Sequence, residues 1–131
     1  MKIPKGFVFL WRCIDDQPIM KASPCTRETF LYLLRQAQFK ETTIPGGKVL
    51  KRGQIFTTYK QIINALSWNI GTRTEGYQIH HIETAMKTMK KTGLITTQKT
   101  TRGIIVTICE YDLYQSKNSY ENHNENHNET R

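Results

Sequence analysis

Between Thr84 and Arg102 the chain carries five basic residues, Lys87, Lys90, Lys91, Lys99 and Arg102, and no acid. Cations at that density neutralise phosphates, the sequence-independent part of nucleic-acid binding. Just upstream, Gln78, His80 and Thr84 offer an amide, an imidazole and a hydroxyl, groups of the kind that meet base edges in a major groove. Lys60 and Arg73 precede them and are placed to reach a sugar-phosphate backbone. The candidate DNA-binding set is therefore Lys60, Arg73, Gln78, His80, Thr84, Lys87, Lys91, Lys99 and Arg102. A solvated face of any small domain would look similar; the acid-free stretch is what favours a polyanion.

Other chemistries leave no comparable mark. There is no G-x-x-x-x-G-K-[ST] loop, no G-x-G-x-x-G, no H-E-x-x-H and no pair of carboxylates on one helix face. His80-His81 with Glu83 resembles a catalytic cluster only on paper, because neighbours on a helix point about 100° apart. His123 and His127 have a metal-ligand spacing, but in a segment with little reason to be helical. No enzyme activity, cofactor or metal is expected.

The elements needed to present the basic set can be read from periodicity. From Gln78 to Lys91, Ile79, Ile82, Ala85, Met86 and Met89 recur at helical spacing, and Tyr77, His80, Thr84, Lys87, Thr88 and Lys91 fall opposite. This predicts a helix with one side in a core and the other shown to phosphates and bases. Ile95–Lys99 and Ile104–Cys109 are β-branched runs around Thr100-Thr101-Arg102-Gly103, which predicts a hairpin with Arg102 at its tip and Gly103 supplying a positive φ. Thr58-Tyr59-Lys60-Gln61 fits a capping box, followed by an apolar stripe at Tyr59, Ile62, Ile63 and Leu66. Ser67–Gly76 is expected to be an irregular turn enlarged by insertion.

Upstream, Ser23 caps a helix with Pro24 in its first turn and Phe30, Leu33, Leu34 and Ala37 as its stripe. A turn at Thr42–Gly47 leads to short strands at Lys48–Leu50 and Gln54–Thr57. The run Phe7–Ile14 suits helix or strand; helix is favoured, with its aromatics in the core. Tyr111 and Tyr114 are expected to fold back over the helices. The resulting expectation is a mainly helical α+β chain, a winged helix-turn-helix with a small antiparallel sheet. Its parts are an N-terminal extension at 1–22, the winged-helix domain at 23–115 and a disordered polar tail or linker start at 116–131.

The formal charge of +8 is concentrated: residues 40–102 hold eleven Lys or Arg against three acids, and the flanking segments cancel. That favours nucleic acid over a membrane. Cys13, Cys25 and Cys109 are odd in number with no C-x-x-C, as in reduced cytosolic thiols. With no signal peptide or long apolar span visible, a cytoplasmic setting is expected.

The ordered set Lys51-Arg52-Gly53-Gln54, Leu66-Ser67-Trp68, Ala85-Met86-Lys87 and Thr92-Gly93-Leu94-Ile95-Thr96-Thr97 resembles a known domain. It looks like the N-terminal winged-helix domain of phage and prophage replication proteins related to the DnaD-type primosome component, the replisome organisers. Thr100–Gly103 and Thr107–Gln115 extend the likeness over roughly residues 5–115. The resemblance implies replication initiation and primosome assembly on double-stranded DNA, with a homo-oligomer and helicase-loading proteins as partners. In that family a second helical domain usually follows; here the sequence runs into the Asn-rich segment, as either a piece of a longer protein or a free-standing binding domain would. A phage-type transcription regulator and a protein-interaction or oligomerisation module remain the alternatives, because fold does not fix function.

Overall fold

The computed structural model describes Leu10 and residues 16–115. The aromatics of the Phe7–Ile14 run, Cys13 and the 116–131 segment lie outside the described residues; Leu10 is exposed.

A short 3-10 helix at Pro18–Lys21 buries Ile19 against the core. Helix α1, Pro24–Gln36, begins where Ser23 accepts the Thr26 amide and Pro24 fills the first turn, where its missing N–H costs nothing. It buries Phe30, Leu33 and Leu34 as its stripe requires, and Ala37 ends it, half-buried. Strands β1, Thr42–Thr43, and β2, Val49–Leu50, then form a two-stranded hairpin. Thr42 and Thr43, expected within a turn, are paired because the reversal is confined to Pro45–Lys48. There the Ile44 amide bonds the Lys48 carbonyl, and Gly46 and Gly47 take φ of 101° and 85°.

Strand β3, Gln54–Thr57, enters helix α2, Tyr59–Ala65, through a complete capping box. The Thr58 hydroxyl accepts from the Gln61 amide at 3.1 Å, and Gln61 Oε1 accepts from the Thr58 amide at 3.3 Å. Ile62 is buried, with Tyr59, Ile63 and Leu66 partly so.

The segment between the helices departs from expectation. Ser67–Gly76 is an ordered hairpin, β4 at Trp68–Ile70 paired antiparallel with β5 at Arg73–Glu75 around Gly71 at φ 62°. Three residues per strand are too few for a period-2 pattern to show, and both strands are largely exposed, so no alternation marks them.

Helix α3, Ile79–Lys91, ends in a Schellman motif at Gly93. The Leu94 amide reaches the Met89 carbonyl at 2.9 Å, and the Gly93 amide reaches Lys90 at 3.2 Å. The chain leaves it as β6, Ile95–Lys99, and returns as β7, Ile104–Ile108. β7 is the centre of a three-stranded antiparallel sheet ordered β3-β7-β6.

Gly103 does not adopt the positive φ expected of it. It is glycine for space, since a Cβ there would lie 2.6 Å from the Thr57 carbonyl oxygen and 3.1 Å from Phe56. Helix α4, Tyr111–Gln115, closes the domain, with Tyr111, Tyr114 and Gln115 buried and the Tyr114 ring edge-on to Phe30 at 5.8 Å.

One core serves all of this, drawing on α1, α2, α3, the inner face of the sheet and α4. The described residues form a small α+β domain of helices and antiparallel sheets. Among them no helix is long and apolar enough to cross a membrane.

Two glycines separate backbone strain from crowding. Gly93, at φ 80°, faces open space, so Gly93→Ala should cost about 1–2 kcal/mol for the left-handed conformation. Gly53, at φ 83°, would place a Cβ 2.8 Å from the Tyr111 Cβ. Denaturant unfolding should therefore find Gly53→Ala clearly the more damaging.

Thiol labelling gives a second check. Burial raises the Cys25 pKa, while Cys109 is exposed. A maleimide should modify Cys109 in the native protein and Cys25 only after unfolding, as read by peptide mass mapping.

Candidate nucleic-acid interface

α3 packs on α1, α2 and β6 through Ile82, Ala85, Met86 and Met89. At about 100° per residue, His80, Thr84, Lys87 and Lys91 then fall within an arc of roughly 60° directly opposite that buried stripe. All four are exposed. Ile79, expected in the stripe, is 55% exposed. As the first helical residue it sits at the margin of the apolar arc, and no neighbour reaches over to cover it.

The polar groups of the arc are constrained by local bonds. The Thr84 hydroxyl donates to the His80 carbonyl at 2.9 Å, a back-bond common for threonine within helices. Its hydrogen is thereby used, leaving an acceptor oxygen and a methyl to face a ligand. Those suit the amino groups of adenine or cytosine and the methyl of thymine.

Gln78 is the N-cap, and its amide donates to Nδ1 of His81 at 3.0 Å. His80 lies against His81, ring centroids 4.1 Å apart.

Tyr77 does not share the exposed face assigned to it. It precedes the helix, half-buried, and its hydroxyl donates to Glu28 on α1 at 3.1 Å. Burial, the Glu28 hydrogen bond and the Glu28 charge together raise its pKa. Its ring stands edge-on to Trp68 at 5.4 Å and to His81 at 6.0 Å. A chain of rings thus runs from β4 to the first turn of α3 and holds the β4–β5 hairpin beside it. This chain was not foreseen, because Trp68 and His81 are thirteen residues apart and nothing in their spacing announces contact.

Arg73, on that hairpin, pairs with Glu75 at 2.8 Å. Exposed pairs of this kind are worth little and are readily exchanged, so the pairing does not withdraw Arg73 from the set. Lys60 is exposed in the first turn of α2, Lys99 at the end of β6, and Arg102 in the loop between β6 and β7. That loop is closed by the Thr100 amide and hydroxyl, both donating to the Gly103 carbonyl. Its close approach to Thr57 and Thr58 sets Arg102 beside the start of α2. Among the described residues no group of three or more His, Cys, Asp or Glu gathers as metal ligands.

The two sides of α3 should respond differently to substitution. Lys87→Ala and Lys91→Ala should each shift unfolding free energy by no more than about 0.5 kcal/mol. Met86→Ala, which opens a cavity under the helix, should cost about 2–5 kcal/mol in the same denaturant titration. Comparison of the chain with family models, with curated proteins and with solved structures gives no match.

Proposed function

We propose that this chain is a winged helix-turn-helix protein that binds duplex DNA and acts in replication initiation of a phage or mobile element. The observation that carries the binding part is the arc of His80, Thr84, Lys87 and Lys91, exposed directly opposite the buried stripe of α3. α3 is the recognition helix in this reading, entering a major groove. β6–β7 is the wing that brings Lys99 and Arg102 to the backbone, and α2 adds Lys60. The order β3, α2, α3, β6, β7 supports the same scaffold. The lysines and Arg102 position the protein, while His80, Thr84 and Gln78 read bases. The replication role rests on the resemblance of the Lys51–Gln54, Thr92–Thr97 and Thr107–Gln115 segments. An operator beside the gene's own promoter, rather than a site within an origin, would point to a transcription regulator.

One feature favours a protein-interaction role. Trp68, Ile70 and Ile79, on β4 and at the start of α3, are each 44% exposed or more. Sedimentation across a concentration series decides whether those side chains self-associate. A monomer throughout, with DNA bound, leaves the binding module as the account.

Fluorescence anisotropy on a labelled duplex tests the main reading. Neutralising about five phosphates should give a slope of log affinity against log salt of about −4 to −5. Lys91→Ala should reduce that slope by about one. Thr84→Ala should alter sequence preference more than bulk affinity, and equal weakening on all sequences would remove it from the base contacts. Absence of binding at low salt would overturn the nucleic-acid reading.

A further inference from the structure

The outer side of the β6–β7 loop faces something no contact of α3 uses. Between it and the β1–β2 hairpin lies an open cleft of about 660 Å³, within the size range of small-molecule sites. A smaller cavity of about 250 Å³ adjoins it, and Phe56 and Arg102 line both. Lys48, exposed in the β1–β2 turn, and Arg102 put cations on the two opposing hairpins. No Asp or Glu is among the described residues lining either space.

The inner wall is neither purely apolar nor purely charged. Gln36, Gln38 and Gln61 line the same cleft as the half-buried Phe56. Gln61 is oriented: its Oε1 accepts from the Thr57 hydroxyl at 3.2 Å and from the Thr58 amide at 3.3 Å. What it has left to offer a ligand is its NH₂ group, a donor of the sort that meets a base carbonyl. An aromatic ring and three amides line a nucleotide-sized cleft, and two cations line the cavity that adjoins it, a set of complementary chemistry. The ring stacks a base, the amides meet its edge, and the cations hold its phosphate.

We propose that this cleft and the cavity beside it together take one unpaired nucleotide of a nucleic-acid strand, its base in the cleft against Phe56 and its phosphate in the adjoining cavity between Lys48 and Arg102. The proposal rests on the DNA-binding reading and extends it, because Arg102 belongs to both surfaces. A duplex held by α3 would reach the cleft through a single-stranded tail leaving at the wing. The preferred ligand is then a junction of double and single strand rather than a continuous duplex.

The experiment compares three labelled DNAs with the same duplex segment: blunt, with a single-stranded tail, and with an abasic tail that keeps the phosphates but lacks bases. The wild-type protein should bind the normal tail about fivefold or more tightly than the abasic one, the lower end for stacking one base on an aromatic ring. Phe56→Leu should erase that difference. Lys48→Ala, at an exposed site with no fold to endanger, should weaken both tailed DNAs and leave the blunt duplex unchanged. Equal affinity of the wild type for the two tails, with the blunt duplex still bound, overturns the cleft and spares the DNA-binding reading. So does a preference for the normal tail that survives in both variants. Loss of all three DNAs from the wild type overturns the DNA-binding reading itself, and the cleft proposal with it.

Discussion

Burial of the stripe Ile82, Ala85, Met86 and Met89 is the constraint on which the rest of the molecule depends. Each of the three larger side chains contributes about 2 kcal/mol when withdrawn from water, and together they dock α3 onto α1, α2 and β6. A helix so docked has no rotational freedom. Its opposite arc, with His80, Thr84, Lys87 and Lys91, is therefore turned to solvent by the apolar contacts beneath it, without any interaction of its own. The Schellman closure at Gly93 then sets where β6 departs, so the position of the β6–β7 loop follows from the same docking.

A second set of contacts locks the sheet to its flanks. Arg52 pairs with Asp112, donates to the Phe39 carbonyl at 2.8 Å and lies over the Phe39 ring at 4.3 Å and the Tyr111 ring at 5.1 Å. One guanidinium thereby joins the loop after α1, the entry to β3 and helix α4. At the other end of β3 a hydrogen-bonded chain runs from Tyr32 on α1 through Thr57 to Gln61 on α2. These polar links sit beside the hydrophobic core and fix the mutual placement of elements whose apolar contacts alone are non-directional. Gly53 and Gly103 belong to the same design, since each leaves room for a neighbour a Cβ would displace.

The candidate interface follows from both. α3 supplies a rigid arc, the loop around Arg102 is held against Thr57 and Thr58, and Lys60 stands in the first turn of α2. In the proposed function these are the recognition helix, the wing and a backbone contact. In the further proposal the opposite flank of the wing serves a single strand. The β4–β5 hairpin, tied to α3 through Trp68, Tyr77 and His81, carries the exposed apolar side chains Trp68 and Ile70.

Much of this was legible in the residues by themselves. Ser23 with Pro24, Thr58 with Gln61 and the spacing of Ile82, Met86 and Met89 act over one or two turns, where the chain's own geometry decides the outcome. So did the β-branched runs that became β6 and β7. Sequence by itself thus determined helices α1, α2 and α3, the main hairpin and the polar character of α3's outer arc. Tertiary structure alone decided that Ser67–Gly76 closes as a hairpin, that Ile79 stays uncovered and Tyr77 turns to Glu28. It alone decided that Gly103 is needed for room rather than for φ, and that Lys48 and Arg102 line one small cavity from different hairpins. The reason is range: caps and periodicity are properties of neighbouring residues, whereas cover, crowding and opposition between distant segments exist only once the core has brought them together.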